Sequence, residues 1–271
     1  MHGTAAAAFR NKTVQTEQRR PNVGSLHHQA AVNAAATAPR ARPSGGDAGL
    51  HPSNMHDYPY AVGAVNYSGN TPIVLMADGP SLGGFVCPLT VAGADLWKVA
   101  AARPGDTLRW VPVSAGAAAA AAAAQRRTWT AIRAGLAAVA ALGGPHTAAA
   151  TADGGGGGGW WDPDWVEAAE PSTGPAVLAT LTTATATAGE VAITLRSSGD
   201  THVLVEVGAC ELDLLYRFLV HELAAALDGG DGIGELCPGV RSLLVEFEPS
   251  TAPLPAVVAR VAELAVDLGA R

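Results

Sequence analysis

The side chains able to do chemistry fall in two stretches, His51 to Phe85 and Gly199 to Glu246. In the first, Asn54, His56 and Asp57 bring an amide, an imidazole and a carboxylate close together. Such a set can exchange hydrogen bonds with a small polar molecule. His51, His56 and Asp57 could instead hold a metal ion, but two histidines five apart on a loop are a weak ligand pattern, and no metal is expected. His56-Asp57 could equally hold a turn. The Ser81 hydroxyl and the backbone N–H groups of Gly83 and Gly84 could bind a carbonyl or carboxylate. The same glycines could serve backbone shape alone. Ser81 is not expected to act as a nucleophile, because no strand-turn-helix elbow or identifiable histidine base accompanies it. In the second stretch, Arg217 and His221 lie four apart on a helix, the pattern of a solvated face with Asp213 available to Arg217. Arg241, following Pro238-Gly239, could bind a carboxylate or close a structural salt bridge.

Local patterns predict the elements that must position these groups. Tyr60 to Tyr67 is rich in β-formers and ends at the turn signal Ser68-Gly69-Asn70. Pro72 to Met76 reads as a short strand and Asp78 to Phe85 as an irregular loop. Val91 to Ala102 suits a helix, stopped by Pro104-Gly105-Asp106, and Leu108 to Val113 a strand. Further on, Val203, Val205 and Val207 alternate as in a half-buried strand. Leu212 to Leu227 is an amphipathic helix, with Leu215, Phe218, Leu219 and Leu223 as its stripe. Ile233 to Leu236 and Ser242 to Glu248 read as strands. In the latter, Leu243, Val245 and Phe247 share one face and Leu244 and Glu246 the other. A last helix starts near Pro253 or Pro255 and carries Val257, Val258, Val261, Leu264 and Leu268. This β-α-β-β-α order is α+β in class and fits a small ferredoxin-like layer.

Composition bounds the rest. The 271 residues include 32 glycines and 18 prolines, only 5% are aromatic, and the formal net charge is −7. An acidic chain of this kind is not a general nucleic-acid binder. Much of the 48% apolar content is alanine, which buries little area. Cys87, Cys210 and Cys237 lie far apart without CxxC spacing, as expected of reduced thiols inside a cell. No run of 18 apolar residues suggests a membrane span, and a cytoplasmic location is expected. Residues 1–46 carry six basic side chains and one acid, Glu17. They have no secretory core, and read as a disordered tail or, less well, an organelle-targeting segment. Four segments follow: a tail 1–50, a first block 51–113, an Ala/Gly-rich linker 114–189 and a second block 190–271. The linker holds the Ala117–Ala124 run, the Gly154–Gly159 run, the Thr/Ala alternation 180–188 and the cluster Trp160, Trp161 and Trp165. Its Ala-rich part, 115–142, could be helical by propensity.

The first block contains His51-Pro-Ser-Asn-Met-His-Asp57, Tyr60-Ala-Val-Gly-Ala-Val65, Asp78-Gly-Pro-Ser-Leu-Gly-Gly-Phe85, Asp95-Leu-Trp-Lys98 and Arg103-Pro-Gly-Asp106. This resembles the C-terminal part of the first carboxyltransferase module of the urea carboxylase and urea amidolyase family, which is related to the C-type component of 5-oxoprolinase. The second block contains Gly199-Asp200, Leu204-Val-Glu-Val-Gly208, Arg217, His221, Gly232-Ile-Gly-Glu-Leu-Cys-Pro-Gly-Val-Arg-Ser242 and Glu246. It is similar to the N-terminal part of the second module, related to the B-type component of 5-oxoprolinase. The two stand in the family's order. The Gly79 to Phe85 loop has the urea-carboxylase form rather than the oxoprolinase form.

The resemblance implies carboxyl transfer from carboxybiotin to urea, giving allophanate, within a biotin- and ATP-Mg-dependent ligase. It also implies a cyclophilin-like barrel segment in the first block. Asn54, His56, Asp57, Ser81, Gly83, Gly84 and Arg241 are the candidate contacts to urea or a similar small amide; no catalytic residue is assigned. The chain shows no ATP loop, and neither Lys12 nor Lys98 has the neighbours of a biotinylated lysine. It is therefore expected to bind no cofactor itself, to rely on a biotin carboxylase and a carboxybiotin carrier supplied by other domains, and to be inactive alone. A 5-oxoprolinase-type component of an ATP-dependent hydrolase and a non-catalytic relic or interaction module are the alternatives.

Overall fold

The computed structural model describes residues 12–18, 54–68, 71–103, 108–141, 177–185 and 189–269. Among these residues are several sheets, mostly antiparallel, and four α-helices.

The second half is built on apolar alternation. Strands β8 (Val177–Thr185), β9 (Gly189–Ser197), β10 (His202–Val207), β11 (Ile233–Pro238) and β12 (Ser242–Phe247) form one antiparallel sheet in the order β11-β12-β10-β9-β8. One face carries Ile193, Leu195, Val203, Val205, Leu243, Val245 and Phe247. Helices α3 (Leu214–Leu227) and α4 (Leu254–Gly269) cover that face. Helix α3 starts where the Asp213 carboxylate accepts the Leu215 N–H at 2.8 Å, satisfying a donor the helix itself cannot. Asp213 is thus a cap and not the partner of Arg217, whose Nη1 donates to the Gly239 carbonyl at 3.1 Å. The α3 stripe buries Val220, Leu223 and Leu227, while Phe218, expected inward, is 63% exposed. Helix α4 buries Val257, Val261 and Ala265. Each fully buried Leu or Val contributes roughly 1.5–3 kcal/mol.

The first half is made of shorter pieces. Strands β3 (Ala64–Ser68), β4 (Thr71–Val74), β6 (Leu89–Val91), β1 (Lys12–Gln18) and β7 (Leu108–Pro112) form a mixed sheet in the order β4-β3-β6-β1-β7, in which β1 and β6 run parallel. Strands β2 (Asn54–Pro59) and β5 (Leu82–Phe85) pair separately. Part of the expected loop 78–85 is therefore a strand. The expected helix from Val91 shrinks to a 3-10 turn (Gly93–Asp95) and the short α1 (Leu96–Ala100), because residues 89–91 pair in the sheet.

Two parts of the expected linker are ordered elements. Residues 115–141 form α2 (Ala115–Ala141), in keeping with alanine propensity. Strand β8 takes up most of the Thr/Ala alternation and pairs with β9. The second block thus opens on two more strands than the β-α-β-β-α reading allowed. Trp160, Trp161 and Trp165 lie outside the described residues.

The halves touch. Tyr58, Tyr60, Ala61, Ala64 and Cys87 pack with Leu204 and Leu244, which sit on the sheet face opposite the helices. Helix α2 adds a bond from Gln125 Nε2 to the Ala94 carbonyl at 3.1 Å, and a solvent-exposed ion pair from Arg126 to Glu248 at 3.6 Å.

Candidate functional site

Beside that contact a cleft of about 410 Å³ opens between the halves. The first half contributes Tyr60, Leu75, the Gly79-Pro80-Ser81 turn, Thr90 and Gly93. The second contributes Ser198 to His202, Glu235, Cys237, Leu244 and Glu246. Cross-strand pairing explains the second wall. His202 stands opposite Glu246 and Leu204 opposite Leu244, so alternation puts all four on the face turned to the first half.

Tyr60 organises the first wall. Its backbone N–H donates to the Ser81 carbonyl at 2.8 Å. Its hydroxyl accepts the Phe85 N–H at 2.7 Å and donates to the Phe85 carbonyl at 3.0 Å. Both sides of the ring hydroxyl are thus used to hold β5, and Ser81 is left exposed at the rim. The Cys237 thiol reaches across to the same Ser81 carbonyl at 3.7 Å.

The floor is polar and buried. Asp200 Oδ1 accepts the Gly93 N–H at 2.9 Å, joining the halves. Asp200 Oδ2 and Thr90 Oγ1 have no hydrogen-bond partner among the described residues. Burial pushes the Asp200 carboxyl above the usual carboxylate range, against the Gly93 hydrogen bond and the Arg126 charge, with Asp95 adding repulsion. On the second wall, His202 Nδ1 lies 2.9 Å from the Thr201 hydroxyl. Burial lowers the His202 pKa, opposed by the negative charge of Glu246, so its imidazole is neutral at neutral pH. The Glu246 Oε2 accepts the Glu235 N–H at 3.0 Å. A Cβ on Gly234 would stand 2.7 Å from that oxygen, so the glycine makes room for the carboxylate.

Of the residues singled out in the sequence, Ser81 lines the cleft. Asn54 begins β2 opposite Phe85, away from the lining. His56 and Asp57 lie in β2, with side chains outside the described set, and His51 is outside it altogether. Gly83 and Gly84 do not line the cleft. A Cβ on Gly83 would stand 2.6 Å from the Tyr60 ring, and one on Gly84 would stand 3.3 Å from the Met55 carbonyl. Their packing accounts for the glycines. Arg241 is buried and spent on the protein's own groups. Its guanidinium meets Glu206 Oε1 at 3.2 Å and the Val207 and Gly208 carbonyls at 3.3 and 3.2 Å, while Arg196 pairs with Glu206 Oε2. Of its two open readings, the structural salt bridge is the one this geometry forms.

Asp200, His202 and Glu246 received no role from the sequence. The one usable signal was that Leu244 and Glu246 share the face opposite the helix-covered one. None of Cys87, Cys210 and Cys237 forms a disulfide among the described residues, and burial pushes Cys87 up to about 12. Among the described residues no cluster of three His, Cys, Asp or Glu could hold a metal ion, and no helix is long and apolar enough to cross a membrane.

Comparison with known proteins agrees with this division into halves. The family described as carboxyltransferase domain, subdomain A and B, matches residues 16–112, and the one described as subdomain C and D matches residues 193–270. Urea amidolyases of Lachancea kluyveri and Saccharomyces cerevisiae are each 34% identical over 77% of this chain. The chain spans 10% of the length of these relatives. Solved structures of Kluyveromyces lactis urea amidolyase and urea carboxylase superpose with TM-scores of 0.63 and 0.62, at 27% identity, over 95% of this chain and 15% and 22% of theirs. With both subdomain pairs present in order, and with similarity to the same enzymes in sequence and structure, the chain belongs to the carboxyltransferase-domain family of the urea carboxylases and urea amidolyases.

Proposed function

We propose that this chain supplies the urea-side part of a carboxyltransferase site, working with a biotin carboxylase and a biotinyl carrier held on other domains. The observation that carries this reading is the cleft between the two matched subdomain pairs, with hydrogen-bonding groups on both walls. Its volume, about 410 Å³, lies in the range of small-molecule sites. When bound there, carboxylated biotin would supply the carboxyl group.

The chain's own residues bind and orient. The Ser81 hydroxyl at the rim is the donor suited to a carboxylate. The second wall faces it with the Glu246 carboxylate and the His202 imidazole. Holding two reactants between fixed walls lowers the entropic part of the barrier. Asn54, His56 and Asp57 remain proposed contacts at the β2 end of the first half.

The test combines the full chain with a biotin carboxylase, a biotinyl carrier, ATP-Mg, ¹³C-bicarbonate and urea. Labelled allophanate is expected, and none when the carboxylase or carrier is omitted. Accumulation of carboxylated carrier with no label passing to urea would overturn the reading.

A further inference from the structure

Helix α2 outruns the body it packs on. Its inward face is set by Ala118, which is buried, and by Gln125, whose side chain bonds the Ala94 carbonyl. Seven residues make nearly two helical turns, so the same face continues to Ile132, with Trp129 three residues before it and Leu136 four after. The contact with the body ends near Arg126 and its exposed ion pair to Glu248. From Arg126 to Ala138 every residue except the half-buried Ile132 is exposed. Trp129 is 56% and Leu136 65% exposed, so an inward-type stripe is left facing solvent. Apolar side chains grouped on one face, unlike scattered ones, mark a contact surface. The helix also carries Arg126, Arg127 and Arg133 and no Asp or Glu. Helical spacing puts Arg126 and Arg133, seven apart, along one edge of the stripe.

We propose that this stripe of α2 is the docking site for residues 160–170 of the same chain, an intramolecular contact that fastens the insert between the two halves. That segment, Trp160-Trp-Asp-Pro-Asp-Trp-Val-Glu-Ala-Ala-Glu170, lies outside the described residues. It holds three of the protein's six tryptophans, four acids and no lysine or arginine, so it complements the stripe in both apolar character and charge. Its place in the chain fits as well. Residues 142–159, eight of them glycine, join it directly to the end of α2. A glycine-rich linker of that length spans about 21–25 Å. Ile132 lies nine residues back from Ala141, about 14 Å along the helix axis, which is within that span. Tethering keeps the effective concentration high, so even a weak contact is populated. A second copy of the chain suits the stripe less, because pairing two such helices would set arginine against arginine with no acid between them. The other exposed apolar group, Leu212, Leu214 and Phe218, suits residues 160–170 less, because Glu211 and Glu222 edge it with like charge. The inference does not depend on the carboxyltransferase reading.

The experiment is hydrogen–deuterium exchange, read by mass spectrometry, on the full 271-residue chain. The parent is compared with a variant carrying Trp160→Ser, Trp161→Ser and Trp165→Ser. Amides of residues 128–138 should exchange about tenfold faster in the variant, since exchange reports local opening. Amides of β10 and β12 should be unchanged, which controls for the fold. A charge swap tests the pairing by itself. Arg133→Glu should speed exchange over the same residues, and adding Asp164→Arg and Glu167→Arg should bring it back toward the parent rate. Equal exchange in the parent and the tryptophan variant would overturn the inference, as would a charge swap that restores nothing. Protection of residues 128–138 that rises with chain concentration would overturn it in favour of a second copy. Protection that is gained only with phosphatidylglycerol vesicles would overturn it in favour of a membrane surface.

Discussion

The two halves hold themselves together in different ways. The second joins five strands and two helices around one continuous apolar core running from Val191 to Ala265. The first splits its buried residues among smaller groups, and the one around Tyr58 and Tyr60 is completed by Leu204 and Leu244 from the second half. The second half can therefore bury its apolar surface on its own, whereas the first reaches full burial only when docked. A cleft formed at that junction exists only as long as the docking does. Binding in the cleft and association of the halves are then linked equilibria, and a ligand that spans both walls favours the docked state.

This asymmetry can be broken most severely from inside the second half. Glu206→Ala should have the largest effect, because it leaves the buried guanidinium of Arg241 and the nearly buried one of Arg196 without their shared carboxylate. Removing one member of a buried pair typically costs about 3–5 kcal/mol. Guanidinium chloride unfolding should show that loss; a change of a few tenths would mean the network is solvated. Leu227→Ala, at a fully buried site on α3, should cost about 2–5 kcal/mol in the same measurement. The matched substitution in the first half, Val65→Ala, removes less volume from a smaller cluster. It should lower protection from hydrogen exchange in β3, β4 and β6 while leaving the amides of β10 and β12 protected. Equal loss of protection in both halves would show that they unfold as one unit.

A milder substitution probes the first wall alone. Gly83→Ala would press a methyl group against the Tyr60 ring and disturb the two Tyr60–Phe85 hydrogen bonds. Overpacking of this kind costs about 1–3 kcal/mol. The damage should appear in the NMR shifts of Tyr60, Ser81 and Phe85, with the second sheet unchanged.

The same asymmetry explains how much could be read from the sequence. In the second half, β10, α3, β12 and α4 announce themselves because large apolar residues recur at periods of two and near four. The split of β12 into a core face and a cleft face was visible for the same reason. Strand β8 was hidden because threonine and alanine alternate there with little apolar contrast, and its pairing with β9 decides its conformation. Strand β5 was hidden by Gly83 and Gly84, which usually mark loops but here clear space for Tyr60. Phe218 fitted the spacing of α3 yet faces solvent, because the buried stripe runs through Val220, Leu223 and Leu227. The site was least legible. Ser81 was found through its turn, but His202 and Glu246 are 44 positions apart and meet only through strand pairing. Arg241 carried the chemistry of a ligand contact, and only the fold shows that Glu206 already occupies it.

The smallest effect expected is the most specific to the junction, because it reads the Asp200 carboxyl that joins Gly93 to β10. Its folded-state pKa lies above the unfolded value, with burial the main cause. The sign follows from linkage. A raised pKa means that the folded state binds the proton more tightly, so the contribution is fully present below the unfolded pKa. It is lost as pH rises through the folded pKa. Arg126 and Asp95 are the charges that act on this group, and Arg126 offsets part of the burial penalty while Asp95 adds to it. Asp200→Asn keeps a carbonyl oxygen for the Gly93 N–H and removes the ionisation. Its stability relative to the parent should therefore be highest near neutral pH and should shrink as pH falls toward the acid range. His202 works in the opposite sense. Its lowered pKa makes protonation unfavourable in the folded state, so stability is lost as pH falls through the unfolded value of histidine. His202→Gln should remove that acid-side loss while Asp200→Asn removes the neutral-side one. Thermal unfolding of both variants across pH would separate the two contributions, and a pair of parallel curves would show that neither group is buried at a docked junction.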